Sequence, residues 1–360
     1  MIWQMHPFFK PNPHFWAGKS VLLTGHTGFK GSWLAHWLSR LGAKVIGIGL
    51  PPNTSPNLFD SLRVSDHIDS HYIADIRNFS LIDTIVKEAS PEVVFHLAAQ
   101  PLVLSSYSDP LLTFETNLQG TVNLLESLRS SRSFRVAVMI TTDKVYQNNE
   151  GSYPFRETDP LGGHDPYSSS KAASEIAISS YRKSFFKEIG ASVASARAGN
   201  VIGGGDWSQD RLVPDLIRAW SSKSTLHIRN PTATRPWQHV LEPLAGYICL
   251  AEHLWRCPSF EDSFNFGPYS HETASVIDIL NIANVKLHTS KVEYQVSPNP
   301  FSESKSLSLD ISKAQALLGF YPRWNINEAI TRTLEWYSRF YDGSNPRTLC
   351  NNDIDFYESN

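Results

Sequence analysis

The sequence predicts an α/β protein: a doubly wound parallel sheet followed by a smaller C-terminal lobe. Three observations predict it. Short β-rich runs alternate with helical patterns through the first two-thirds of the chain, as strands joined by crossover helices do. Several of those runs are apolar on successive residues, the mark of strands covered on both faces. A glycine-rich turn, within VLLTGHTGFKGSWL, follows the first run and opens the first helix.

In chain order, the strand candidates are SVLLTG from Ser20, KVIGIGL from Lys44, HYIADI from His71, EVVFHLAA from Glu92, RVAVMITT from Arg135 and ASVASARAG from Ala191. Leu34, Trp37, Leu38 and Leu41 recur at helical spacing after the first, and Leu118, Val122 and Leu125 before the fifth. Past Asn200 the pattern changes to a Gly-rich loop and Pro-interrupted segments. DISKAQALLGFYPRWNINEAITRTLEWY then reads as helix, Gly-Phe-Tyr-Pro stop and helix. The expected organisation is an N-terminal extension (1–17), a sheet domain (18–200) that also receives part of 236–262, and a discontinuous lobe from 201–360. Phe15 and Trp16 are expected to pack on the sheet edge. Trp336, Tyr337 and Phe340 are expected in the core or a subunit contact.

Composition excludes several classes. The 360 residues carry a net charge of -3, with no basic field for nucleic acid and no polybasic membrane anchor. No apolar run approaches the roughly 20 residues that span a bilayer. Prolines and histidines interrupt the N-terminus where a signal peptide would be apolar. Cys249, Cys257 and Cys350 are too scattered to suggest a disulfide framework or a zinc site, and no metal is expected. Cytoplasm is the expected location.

The turn holds Gly25, Gly28 and Gly31, with Thr27, Phe29 and Lys30 among them. Glycine allows a tight turn and lets backbone N–H groups approach a pyrophosphate without a Cβ in the way. The helix start adds positive dipole and free donors. A dinucleotide is therefore the expected occupant, in G-x-x-G-x-x-G spacing. The second strand runs into Pro51, Pro52, Asn53 and Thr54. That leaves NAD or NADP open, since it offers neither an acid for a ribose hydroxyl nor an arginine for its phosphate.

DPYSSSKAASE sets Tyr167 and Lys171 four apart, on one face of a helix. A tyrosine, with a reference pKa of about 10, is a poor base at neutral pH. A nearby ammonium, together with the positive nicotinamide ring of a bound dinucleotide, is expected to favour the phenolate. Thr142, Asp143 and Lys144 stand where the fifth strand ends. On a regular strand Asp143 would point away from its two neighbours, so one shared site requires a bend there.

The glycine spacing, HLAAQ, TN at 116–117 and Y-x-x-x-K resemble the extended short-chain dehydrogenases/reductases. Within them, GHTGFKGSWL, AAQPLV, TTDKVY, DPLGGHDPYSSSKAASE, ARAGNVIGGGDW and IRNPTATRPWQHVLEPL are similar to the nucleotide-sugar 4,6-dehydratases that act on CDP-glucose, from about Trp16 to Tyr337. The resemblance implies a Rossmann-type domain with a nucleotide-sugar-binding lobe, NAD as cofactor, CDP-glucose as substrate and a homodimer or homotetramer. It implies a product that feeds dideoxyhexoses of lipopolysaccharide O-antigen. NAD would meet the glycine turn, Asp75, Ile76, Leu97, Ala98, Ala99, Gln100, Asn117, Tyr167 and Lys171. The sugar nucleotide would meet Gln100, Asn200, Arg211 and Arg235, the two arginines at its pyrophosphate. His239 would either reach a phosphate or anchor its own segment. Thr142 would hold the reacting hydroxyl, Asp143 would be the acid that releases water, and Lys144 the base.

GGGDW, Gly203 to Trp207, reads as a flexible loop near the sugar. One departure is Leu104, where arginine is common. The alternatives are a dehydratase or epimerase of another nucleotide sugar, and a non-catalytic NAD-binding scaffold. A simple epimerase needs no leaving-group acid, and a scaffold has no use for Thr142, Tyr167 and Lys171 together.

Overall fold

Seven strands form one parallel sheet: β1 (Ser20–Thr24), β2 (Lys44–Gly49), β3 (Ser70–Ile73), β4 (Val93–His96), β5 (Val136–Ile140), β6 (Ser192–Ala198) and β7 (Ser263–Phe266). Their order is β7-β6-β5-β4-β1-β2-β3. The computed structural model describes residues 9–148, 151, 153–258, 261–287, 293–296 and 307–359. Residues 1–8 of the expected N-terminal extension, and 288–292 and 297–306 of the expected lobe, lie outside the described residues.

Alternate strand residues enter two different cores, as the unbroken apolar runs require. Val21, Leu23, Val93, Phe95, Val136 and Val138 join one cluster; Leu22, Val94, Ala137 and Met139 join the other. Helices α1 (Phe29–Arg40), α2 (Phe79–Ala89), α3 (Gly120–Arg129), α4 (Pro166–Tyr181) and α5 (Leu241–Arg256) cover the faces. No helix among the described residues is long and apolar enough to cross a membrane.

All six expected strands form, and several stop short of their apolar runs. β4 ends at His96 because Leu97–Gln100 leave the ladder to line a cleft. β7 had no clear sequence signal. It is four residues long and pairs with β6 through Ser263–Phe266, so the sheet draws its last strand from beyond residue 262.

At the other end of the chain, Gly319 takes a left-handed φ of 63° and stops the helix Ser312–Leu318 before α6 (Ile326–Tyr341) and α7 (Pro346–Ser359). The expectation of a flexible GGGDW loop is corrected. Gly203 to Trp207 are buried, and a Cβ on Gly204 would overlap the Trp336 indole. Trp207 packs against Trp336, Tyr337 and Phe340 of α6. Three glycines there permit close approach, and the tryptophan then locks it. Trp16 is fully buried and donates from Nε1 to Glu252 at 2.9 Å, tying the N-terminal segment to α5.

Candidate active site

A cleft of about 1260 Å³ opens where β1 and β4 lie side by side and the strand order reverses, the place where open α/β sheets bind ligands. Thr24 and His96 close these two strands with a 2.7 Å side-chain hydrogen bond, and the Ala98 N–H donates to Thr24 Oγ1 at 3.2 Å. The glycine turn follows. Gly25 has φ 77°, and a Cβ there would sit 2.7 Å from Ala98 N; a Cβ on Gly31 would overlap the Gly25 carbonyl. The backbone thus forms a cradle that any side chain would fill, at a helix start whose first N–H groups lack intrahelical partners. These residues fit a dinucleotide pyrophosphate.

Gly25, Thr27, Gly28, Phe29, Lys30, Gly31, Asp75, Ile76 and Leu97 to Gln100 all line the cleft. The Asp75 carboxylate already pairs with Arg77 at 2.6 Å, and the Arg77 hydrogen bond holds it below the ordinary aspartate range. Asn117 does not line the cleft. Buried in a π turn (Glu115–Gln119), its Oδ1 accepts from the Gln100 N–H at 2.8 Å, and its Nδ2 donates to Gln100 O and Ser170 Oγ. It fastens the Gln100 loop to α4 from behind.

The bend required at Asp143 is present. A single 3₁₀ turn (Asp143–Val145) follows β5, and Thr142 caps it by accepting from the Lys144 N–H. Thr142 Oγ1 donates to Asp143 Oδ1 at 3.0 Å, and Lys144 Nζ is 3.7 Å from the same oxygen. Asp143 is 1% exposed, and its Oδ2 has no hydrogen-bond partner. The carboxyl fits because position 199 is glycine; a Cβ there would be 2.6 Å from Asp143 Cγ and would overlap Oδ2.

Asp165 caps α4 by accepting from the Ser168 N–H, which brings Tyr167 and Lys171 to the same cleft wall. Lys171 Nζ donates to the Ile140 carbonyl at 2.9 Å. Burial opposes the expected lowering of the tyrosine. Loss of water around Tyr167 pushes its hydroxyl up to about 12, against a smaller downward pull from the Thr142 hydrogen bond. Burial likewise pulls the Lys171 ammonium down to about 8. In both groups the loss of water is the largest influence.

Leu104, Asn200, Arg211 and Arg235 also line the cleft. Arg211 is held by buried Asp206 at 2.8 Å and is an electrostatic neighbour of Tyr167 and Lys30. It therefore faces the reacting end of the cleft. Burial, then the charges of Arg211 and Lys171, bring Lys30 down to about 7. His239 is fully buried between Trp33 and Trp324 and does not line the cleft; burial lowers it to about 3. It anchors its own segment. Sequence reading missed Asp206, Gly199, and Arg218, His227 and Arg229 at the distal end. None belongs to a spacing that signals chemistry; only the run of glycines before Asp206 hinted at close packing.

Comparison with known proteins follows this geometry. The family model described as GDP-mannose 4,6 dehydratase matches residues 22–333. A protein of Salmonella typhimurium named CDP-glucose 4,6-dehydratase is 43% identical over 353 residues, covering 96% of this chain and 98% of that protein. The dTDP-glucose 4,6-dehydratase of Shigella flexneri is 25% identical, covering 88% of this chain and 92% of its own. Among solved structures, UDP-glucuronic acid 4-epimerase from Bacillus cereus superposes with a TM-score of 0.78 at 24% identity, covering 89% of this chain and 99% of that one. The chain belongs to the GDP-mannose 4,6 dehydratase family of the extended short-chain dehydrogenases/reductases.

Proposed function

We propose that this protein is a CDP-glucose 4,6-dehydratase, a hydro-lyase that uses NAD and yields CDP-4-dehydro-6-deoxyglucose. The observation that carries the proposal is the Thr142–Asp143–Lys144 turn set against Tyr167 and Lys171 in one cleft. Groups suited to remove a hydroxyl proton during oxidation and groups suited to eliminate water therefore line one cleft. The relative at 43% identity supports CDP-glucose as the sugar nucleotide.

The glycine cradle, with Asp75 and Leu97 to Gln100, would hold NAD, and bound NAD would supply a hydride acceptor at carbon 4 and a hydride donor at carbon 6. With Lys171 and the positive nicotinamide ring of bound NAD favouring its phenolate, Tyr167 would take the carbon 4 hydroxyl proton, while Thr142 orients that hydroxyl. A ketone at carbon 4 acidifies the hydrogen on carbon 5. Lys144 takes that proton, and Asp143 protonates the hydroxyl leaving carbon 6, which departs as water. The reactive form carries the acid–base proton on Asp143. Carbon 6 would then gain the hydride held by bound NAD while Lys144 returns a proton to carbon 5, so one water is lost with no net redox change. Arg211 and Arg235 supply charge-assisted donors for phosphate or sugar oxygens.

Lys144 and Asp143 carry the reading past a simple epimerase, which needs no leaving-group acid. Cytoplasmic location, a homodimer or homotetramer, and a product destined for dideoxyhexoses of lipopolysaccharide O-antigen belong to the same proposal. The test is a panel of CDP-, dTDP-, UDP- and GDP-hexoses followed by mass spectrometry. Loss of one water from CDP-glucose without net NAD consumption supports it. Water loss from another nucleotide alone moves the substrate assignment, with Leu104 the first position to change.

A further inference from the structure

Directly behind the reacting groups lies a buried ion pair that the chemistry above does not use. Glu175 and Arg197 are 2.8 Å apart, with side chains 2% and 3% exposed. The Glu175 carboxylate accepts from Thr141 Oγ1 (2.5 Å), Arg197 Nε (3.0 Å) and Nη2 (2.8 Å), Ser195 Oγ (2.7 Å) and Ser263 Oγ (3.3 Å). Arg197 Nη1 donates to the Tyr146 hydroxyl at 2.9 Å, which donates on to Asn265 Oδ1 at 2.6 Å. One carboxylate thus joins α4 to the end of β5, to β6 and to β7, and through Arg197 to the residues after the Asp143 turn.

The placement matters because of what adjoins each end. Thr141 precedes Thr142. Glu175 lies one helical turn after Lys171, which lies one turn after Tyr167, so all three share a face of α4. We propose that Glu175, paired with Arg197, is a positioning residue for the reaction: it clamps the helix bearing Tyr167 and Lys171 to the strand end bearing Thr142, and provides the counter-charge to Lys171. The inference rests on the dehydratase reading for its catalytic consequence.

The groups facing Lys171 are Tyr167 and Glu175 on its own helix, Lys30 on α1 and His96 at the end of β4. His96 is neutral, pulled down to about 3 by burial, and Lys30 opposes a second positive charge. Glu175 alone raises Lys171 against its burial. Burial pushes the Glu175 carboxyl up, but Arg197 and the hydroxyl donors hold it below the ordinary glutamate range. It therefore remains an anion.

The test compares Glu175→Gln, Glu175→Gln/Arg197→Met and Thr141→Val with the parent, by kcat and KM against pH and by melting temperature. Glu175→Gln should lower kcat about tenfold or more, change KM by less than about twofold, and move the alkaline limb of kcat to lower pH. The double variant removes both charges; its melting temperature should recover while the displaced limb remains. Thr141→Val cuts one bond of the clamp and should lower kcat with the limb in place. An alkaline limb in either Glu175 variant that coincides with the parent's overturns the proposal, as does full recovery of kcat in the double variant. A mutant cycle between Glu175→Gln and Lys171→Met on melting temperature needs no substrate. Coupling there supports the counter-charge and additivity overturns it. A parent that dehydrates no nucleotide sugar contradicts only the dehydratase reading, and the cycle then decides this one.

Discussion

At the scale of single residues, Gly199 and Asp143 form the most exposed dependence in the site. The buried Asp143 carboxyl occupies the space a side chain at 199 would take. Gly199→Ala should therefore displace the acid while leaving the glycine cradle intact. The expected outcome is dehydration slowed on the order of 10²-fold, with NAD retained and oxidation at carbon 4 still measurable by reduced-cofactor absorbance. Parent-rate water loss would show that Asp143 does not need this seat. Tyr167 and Lys171 were legible as a pair from their helical spacing, whereas Thr142, Asp143 and Lys144 were singled out by the family resemblance, since on a regular strand Asp143 would point away from its neighbours. Gly199 was not legible, because its role is to be absent from a space that only the folded backbone defines. The direction of the Tyr167 shift was also illegible, since a spacing reveals a charged neighbour but not how much water burial removes.

At the scale of elements, the GGGDW loop sits against α6 as a packed joint. Trp207 meets Trp336, Tyr337 and Phe340, the Tyr337 hydroxyl donates to the Asp206 carbonyl, and Asp206 holds Arg211. A change in the C-terminal helix should reach the substrate wall through this path. Trp336→Ala should cost about 3–5 kcal/mol of stability by leaving a large cavity. It should also raise KM for the nucleotide sugar more than it lowers kcat, measurable by steady-state kinetics below the new melting point. An unchanged KM would mean that Arg211 does not bind the substrate. β1, β2, β4 and β5 were readable because residues buried on both faces leave near-continuous apolar runs, whereas β3 is a half-exposed edge strand and β6 carries polar residues among its apolar ones. β7 was not readable, because SFNF is short and alternates with polar residues that bond inward to Glu175, Tyr146 and Glu157. The GGGDW loop misled because glycines signal flexibility and close packing alike.

At the scale of the whole molecule, buried neutral histidines set the acid limit. Burial lowers His26 and His36 to about 4, and His96 and His239 to about 3. His36 docks α1 against α7: Arg347 bonds one nitrogen of His67, His67 bonds His36, and His36 bonds Asn351 Oδ1 at 2.8 Å. A histidine whose folded pKa lies below its unfolded value of about 6.5 binds its proton sooner when unfolded, so stability falls as pH drops through that interval, by up to about 1.4 kcal/mol per pH unit for each group. Glu242 and Asp353 run the other way. Burial raises both to about 7, so they gain folded-state protons between there and the unfolded range and offset part of the loss. The melting temperature should decline from about pH 6.5 and fall faster below about pH 4.5, where the offset ends. A melting temperature that stays level down to pH 4 would contradict this assignment of charge.

The central claim is that one cleft oxidises carbon 4, expels water and reduces carbon 6 within a single turnover. The direct measurement uses CDP-glucose carrying deuterium on carbon 4, with product read by NMR. The account predicts deuterium on carbon 6 of a 4-dehydro-6-deoxy product, with no reduced cofactor released. Deuterium lost to solvent, or retained on carbon 4 without water loss, would contradict it.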